Sequence, residues 1–308
     1  MARRKKGQKV DGWVILDKPA GITSTAAVAA VKRLFDAQKA GHGGTLDPLA
    51  TGILPIALGE ATKTVPFVMD GEKTYRFTLT FGEARSTDDA EGEVTARSDR
   101  RPSDAEIEAI LPRFQGEITQ VPPAFSAIKV QGERAYDLAR EGEVVELQPR
   151  TVLVHEIRLA ERPDPDHAVI EVRCGKGTYM RALARDIAVA LGTVGHVAAL
   201  RRTGVGPFTE AGAISLDPLK ALGHSPAAFK HVLPIETALD DIPALALSAA
   251  EATRLRSGQP VGLLHRLDRD RIRGFTPGDM VCAMSEGRLV ALTRFEAGEL
   301  VPVRVMNL

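Results

Sequence analysis

The sequence predicts an α+β fold, a largely antiparallel mixed sheet flanked by helices and followed by a small C-terminal β-barrel. Three observations lead there. Strand and helix patterns are mixed without the regular alternation of a doubly wound protein. Two strong strand patterns stand side by side across a Pro/Asp loop, as in a hairpin. From about Leu245 onward the chain gives a helix and then short strands with glycine turns, including "MVCAMSEGRLVALTRFEAGELVPVRVM".

The elements follow in order. Helical spacing of Val28, Val31, Leu34 and Phe35 predicts a helix from about Ser24 to Gln38, capped by Thr23 or Ser24. Strict alternation in "YRFTLTFG" sets Tyr75, Phe77, Leu79 and Phe81 on one face of a half-buried strand. Ser103 and Glu106 form a capping box ahead of Ile107, Ile110, Leu111 and Phe114. "TVLVHEIRLA" and "AVIEVRC" read as hairpin partners joined by "ERPDPDH". Thr178 is placed to cap a helix whose core stripe is Met180, Leu183, Ala184, Ile187 and Leu191, with Gly192 at its stop. A second Ser-to-Glu box opens "SAAEATRLRSG", ending at Gly258. These elements divide the chain into a basic tail (1–11), a main domain (12–244) and a small C-terminal domain (245–308).

A length of 308 residues, 44% hydrophobic and 26% charged, allows a sizeable core and excludes a wholly disordered chain. No uncharged apolar run approaches the roughly 18 residues of a membrane span. "MARRKKGQKVDGW" lacks the apolar core of a signal peptide, so a cytoplasmic protein without a membrane partner is expected. Cys174 and Cys282 stand far apart in no metal-binding pattern, and buried, reduced thiols are expected. Forty basic residues balance forty acidic ones, so net charge does not argue for nucleic acid. The basic residues do cluster, in Arg3, Arg4, Lys5, Lys6 and Lys9, in Arg201 and Arg202, and in Arg266, Arg269, Arg271 and Arg273. Each run fits either a solvated surface or phosphate contacts.

The stretch "GHGGTLDPLATGILPIALGEATK" (residues 41–63) carries the chemistry. Its glycines fit neither the Walker pattern nor GxGxxG, which disfavours a phosphate loop. Asp47 precedes a proline, so it is pushed toward extended backbone, its carboxylate presented by a loop and not folded back as a helix cap. Leu46, Leu49, Ile53 and Leu54 make its neighbourhood apolar, and a carboxylate there needs a partner to stay ionised. Arg181, in the first turn of the helix after "GTYMRA", is one candidate; a surface cation beside a core Tyr179 is the plainer alternative.

These residues resemble the bacterial tRNA pseudouridine-55 synthases, the TruB family. Besides the 41–63 stretch, "LDKPAGITS", "KTYRF", "PPAFSAIKVQGERAYDLAREG", "CGKGTYMRALARDI" and "HVAALRRTGVGPF" match family motifs in the expected order across residues 12–208. The resemblance implies the pseudouridine synthase fold with a C-terminal PUA-like RNA-binding barrel. It also implies isomerisation of uridine 55 in the tRNA T-loop without cofactor or metal, by a monomer with no obligatory protein partner. Asp47 matches the family's catalytic aspartate, Arg181 the arginine that pairs with it, and Tyr75, Tyr179 and Leu200 the uracil pocket. His42 matches the histidine that enters the T-loop when the target base flips out. Lys18, Asp89, Lys129 and Arg202 are further nominations for RNA contact or loop support. The barrel is expected to reach the acceptor arm through its arginines. Phe125 stands where the family often has tyrosine, and Arg85 and Ser86 replace a threonine-rich pattern. A different class of function, tRNA binding and folding with catalysis secondary, is the alternative.

Overall fold

A computed structural model of the chain describes residues 7–125, 147–263 and 268–308, with the backbone alone of two short strands, Lys129–Val130 and Glu133–Arg134. Among the described residues the main sheet has ten strands. In chain order they are β1 Gly12–Lys18, β2 Ala40–His42, β3 Thr51–Leu58, β4 Lys73–Phe81, β5 Gly116–Gln120, β6 Arg150–Asp164, β7 His167–Cys174, β8 Gly195–Val205, β9 Phe208–Thr209 and β10 Ile214–Ser215. They lie in the order β10-β1-β3-β8-β4-β7-β6-β5, with β2 added to β3 and β9 to β8. Only β1/β10 and β3/β8 are parallel pairs; the rest are antiparallel.

Strand β3 is apolar from Gly52 to Leu58 because both of its faces are covered. On β3, Leu54, Ile56 and Leu58 enter one core while Ile53 and Ala57 enter another. The first core holds helices α1 (Ser24–Leu34), α2 (Asp104–Ile110) and α3 (Met180–Ala190) against the sheet. The second joins Trp13, Ile15 and Ile53 to Cys282, Leu289, Leu292 and Met306, so the C-terminal unit docks on the opposite face of the same sheet. That unit is a curled half-barrel of β11 Ala244–Ala246, β12 Val261–Gly262, β13 Met280–Ser285, β14 Arg288–Glu296 and β15 Glu299–Val305, in the order β11-β13-β14-β15-β12. Helix α4 (Ala249–Arg256) covers it.

Both capping boxes form, at Ser103/Glu106 and Ser248/Glu251. Phe77, Leu79 and Phe81 are buried on one face of β4 with Tyr75 packed beside them. Three expectations need correction. Helix α1 stops at Leu34, short of Gln38, because Asp36 takes φ 44° and its carbonyl accepts the Gln8 N–H at 2.7 Å. The hairpin loop shrinks to a turn after Asp164, since strand β6 runs on through Pro163 and bulges there absorb its missing N–H. Thr178 does not cap α3; its hydroxyl donates to the Gly175 carbonyl at 3.1 Å, and Tyr179 holds the cap position. No helix among the described residues is long and apolar enough to cross a membrane.

Candidate active site

Asp47 lies in the loop between β2 and β3, outside any helix, and its side chain is 38% exposed. Its Oδ2 is 2.9 Å from Arg181 Nη2 on the first turn of α3. The same guanidinium stands 3.4 Å from Asp89 Oδ2 through Nη1 and donates to the Thr87 and Phe125 carbonyls at 3.1 and 2.8 Å. Arg181 and Asp89 are almost fully buried, so Asp89 supplies the counter-charge that the interior demands while Asp47 stays part-exposed. One turn along α3, Arg185 Nη1 meets Asp88 at 2.9 Å. Burial pushes the Asp88 carboxyl up, against the pull of Arg185. Two adjacent aspartates thus engage two arginines at i and i+4 on one helix face. Phe125 lacks a tyrosine's hydroxyl, yet it serves this site through its backbone.

The other named residues gather on the neighbouring strand ends. Leu200 and Arg202 on β8 lie between the start of β3, where Arg202 pairs with Gly52, and the start of β4, where Arg202 pairs with Tyr75. Leu200 is buried in the first core and Tyr75 packs against it. Burial raises the Tyr75 hydroxyl pKa, while the charge and hydrogen bond of Arg202 work the other way. His42, at the end of β2, accepts the Gly44 N–H on Nδ1 at 3.3 Å, which places its proton on Nε2 in the neutral ring. Burial and the Arg202 charge lower its pKa. Tyr179 is gripped by Gln120, whose Oε1 accepts the Tyr179 N–H at 3.1 Å and whose Nε2 reaches its carbonyl at 3.4 Å.

Lys18 and Arg202 are both buried, at 0% and 1% exposure, and their donors go to backbone carbonyls instead of to solvent. Lys18 Nζ donates to the carbonyls of Pro19, Ile22 and Pro48 at 2.9, 2.9 and 3.3 Å. Its pKa is pushed down to about 8 by burial, with the Asp47 charge pulling up and the Arg202 charge pushing down. Arg201, read from sequence as half of a basic pair, is paired with Asp17 and Glu210 at 3.0 and 2.6 Å. Lys129 belongs to a segment whose side chains lie outside the described residues. The expected apolar surround of Asp47 is only partial: Leu46 is buried beside it and Leu49 partly so, but Ile53 and Leu54 point to opposite sides of the sheet. In the departing loop, Arg85 donates to the Ala90 and Gly92 carbonyls at 3.3 and 3.0 Å, and Ser86 accepts the Glu93 N–H at 3.1 Å.

A family model described as TruB family pseudouridylate synthase (N terminal domain) matches residues 32–180, and one described as tRNA pseudouridylate synthase B C-terminal domain matches 181–240. The chain belongs to the TruB family. Relatives named tRNA pseudouridine synthase B from Caulobacter sp. (strain K31) and Rhodospirillum rubrum are 57% and 55% identical to it over 309 and 308 residues, covering the whole of each chain. One from Bradyrhizobium diazoefficiens is 58% identical, covering 99% of this chain and 88% of the relative. Among solved structures, a Cbf5-Nop10-Gar1 complex aligns with TM-score 0.71 and 27% identity, covering 96% of this chain and 84% of the other. An H/ACA RNP bound to a substrate RNA containing 2′-deoxyuridine aligns with TM-score 0.73 and 25% identity, covering 99% and 91%.

Within this TruB-family site, sequence reading missed Ser24, Asp88, Gln120 and Arg185. The RALAR spacing and the Asp88-Asp89 pair carried a readable signal, since helical neighbours at i and i+4 share a face. Gln120 and Ser24 carried none. Of the C-terminal arginines, Arg271 is paired within the unit, 2.9 Å from Glu251 and 2.7 Å from Asp268, and Arg269 and Arg273 are exposed. Arg266 lies outside the described residues.

Proposed function

We propose that this TruB-family protein isomerises uridine 55 in the T-loop of tRNA to pseudouridine, with Asp47 as the catalytic carboxylate. The observation that carries the reading is the Asp47 side chain, part-exposed on its loop and held on one oxygen by the buried Arg181 at 2.9 Å. Cleaving the C1′–N1 bond builds positive charge at C1′, which a fixed, ionised carboxylate stabilises or captures. The base then turns, C1′ bonds to C5, the C5 proton leaves and N1 gains a proton, so no electrons are exchanged with an outside partner. Tyr75 holds the detached uracil by stacking, with Tyr179 and Leu200 closing the pocket. The buried uridine has to leave its stack first, and His42 fills the gap it leaves. A part-apolar surround of Leu46 and Leu49 restrains water from intercepting the sugar.

In this reading residues 12–244 form the catalytic domain, 245–308 a PUA-like RNA-binding domain and 1–11 a basic tail. The exposed Arg269 and Arg273 meet phosphates of the acceptor arm in this reading. The protein acts as a monomer in the cytoplasm. Mapping pseudouridine in tRNA incubated with the pure protein tests substrate and position together. Tritium release from C5-labelled tRNA by Asp47→Asn tests the residue. Turnover retained in that variant sinks the assignment, and a modification at another position sinks the substrate.

A further inference from the structure

From Gly44 to Pro48 the chain has no regular structure, yet every backbone carbonyl has a protein donor. Arg202 donates to Gly44 O through Nη2 at 3.0 Å and to Thr45 O through Nη1 at 3.2 Å. Ser24 Oγ donates to Leu46 O at 2.9 Å and accepts Leu46 N–H at 2.8 Å. Asp47 O accepts the Ala50 N–H at 3.1 Å, and Pro48 O accepts from Gly21 N–H at 2.8 Å and Lys18 at 3.3 Å. Loop carbonyls ordinarily face water, so donors drawn from both β1 and β8 and from the start of α1 over-determine this backbone.

We propose that Ser24 and Arg202 are positioning residues that fix the Asp47 loop in its reactive geometry, and that neither is an RNA contact. The inference rests on the proposed function. Ser24 is 3% exposed and its hydroxyl is used in both directions on one residue, Leu46, immediately before Asp47. It is free to do so because Thr23, not Ser24, caps α1, accepting the Ala26 N–H at 3.1 Å. Arg202 has no carboxylate within ion-pair distance among the described residues, and besides its hydrogen bond with Tyr75 its Nε donates to Ile53 O at 2.8 Å, which ties down the far side of the loop. A buried guanidinium satisfied by carbonyls from both sides of the loop works as a strut, because moving either side leaves a buried charge with fewer acceptors.

The arrangement separates rate from stability. Losing Thr23 weakens the helix start but leaves the Leu46 clamp, whereas losing the Ser24 hydroxyl leaves the cap and frees the loop. Three variants, Ser24→Ala, Thr23→Ala and Arg202→Lys, are compared with wild type in single-turnover pseudouridine formation, tRNA affinity, thermal unfolding and hydrogen exchange of the 44–50 segment. Ser24→Ala is expected to slow the single-turnover step about tenfold, the scale of a sub-ångström misplacement, with tRNA affinity unchanged. Thr23→Ala is expected to unfold at lower temperature yet keep the wild-type rate. Arg202→Lys, which keeps the charge but not the fork, is expected to lose about a hundredfold. Exchange in the 44–50 segment rises in Ser24→Ala and not in Thr23→Ala. A wild-type rate in Ser24→Ala overturns the proposal, as does an equal loss in Thr23→Ala or a parallel loss of tRNA affinity. If the wild type forms no pseudouridine, the proposed function fails, and the exchange comparison still decides whether Ser24 clamps the loop. Should Arg202→Lys not fold, Ser24→Ala carries the test.

Discussion

Arg181 joins two carboxylates of opposite character, Asp47 at 2.9 Å and 38% exposed, and Asp89 at 3.4 Å and 4% exposed. A lysine in its place offers a single ammonium, which does not span both carboxylates and the Thr87 and Phe125 carbonyls. Arg181→Lys should therefore lower turnover at least a hundredfold. It should also cost roughly 2–4 kcal/mol, because Asp89 keeps its burial and loses much of its pairing. Tritium release and urea unfolding measure the two losses; a stable, fully active Arg181→Lys would show that the shared guanidinium is incidental.

Gly52 is held against β8 so closely that any side chain there collides with backbone. Its φ is 100°, and an added Cβ would sit 2.1 Å from the Arg202 carbonyl oxygen. Neither atom belongs to a flexible side-chain end, so the strands must part. Gly52→Ala is expected to cost about 3 kcal/mol or more, adding left-handed strain to overlap at the parallel β3/β8 contact. A midpoint in urea close to wild type would mean that the strands separate cheaply.

What could be read in advance was whatever is local in sequence. The Asp47-Pro48 step, the boxes at Ser103 and Ser248, the alternation from Tyr75 to Phe81 and the stripe on α3 are all decided within a few residues. What could not be read is what a polar side chain does at long range. Lys18 and Arg202 read as residues for RNA contact or loop support, and Arg271 as one of a basic run, because nothing near them announces acceptors about thirty, a hundred and fifty or twenty residues away. The cap of α1 stayed open between Thr23 and Ser24, since either hydroxyl suits that place; Thr23 takes it, and the Ser24 hydroxyl is left for Leu46. Ile53 and Leu54 read as apolar neighbours of Asp47, and only the second core explains why both faces of β3 are apolar.

Lys18 gives a pH signature. Its pKa falls from 10.5 to about 8 on folding, mainly through burial. Below pH 8 it is charged in both states and the folded state bears the full cost of burying the ammonium. Between pH 8 and 10.5 the folded state loses the proton first, so the unfolded state binds more protons and this group's contribution to stability rises with pH. Relative to Lys18→Met, the wild type should therefore gain on the order of 1 kcal/mol per pH unit within that window. Urea unfolding of both proteins at pH 7.5 and 9.5 measures the difference, and an unchanged gap would mean that the ammonium is stabilised as well in the fold as in water.

In the C-terminal half-barrel, Arg271 ties α4 to β11 by pairing with Glu251 at 2.9 Å and donating to the Ala246 carbonyl at 2.8 Å. Its hydrogen bonds hold the Glu251 carboxyl down to about 2, from 4.5. A carboxyl lowered in this way stabilises the fold above pH 4.5, and that contribution is lost as pH falls from 4.5 toward 2. Glu251 and Arg271 are 20% and 30% exposed, so solvent screening trims the linkage to roughly 1–2 kcal/mol. Arg271→Gln should thus be less stable than wild type by about that much at pH 7, and the gap should narrow at pH 3 and below. Trp13, the single tryptophan, reports the change because it lies in the core shared with Cys282, Leu289 and Leu292, on which the half-barrel docks. Its fluorescence during urea unfolding should shift together with the loss of the half-barrel. A gap of equal size at pH 7 and pH 3 would show that Arg271 stabilises the unit through its carbonyl contact and packing, with no part for the Glu251 charge.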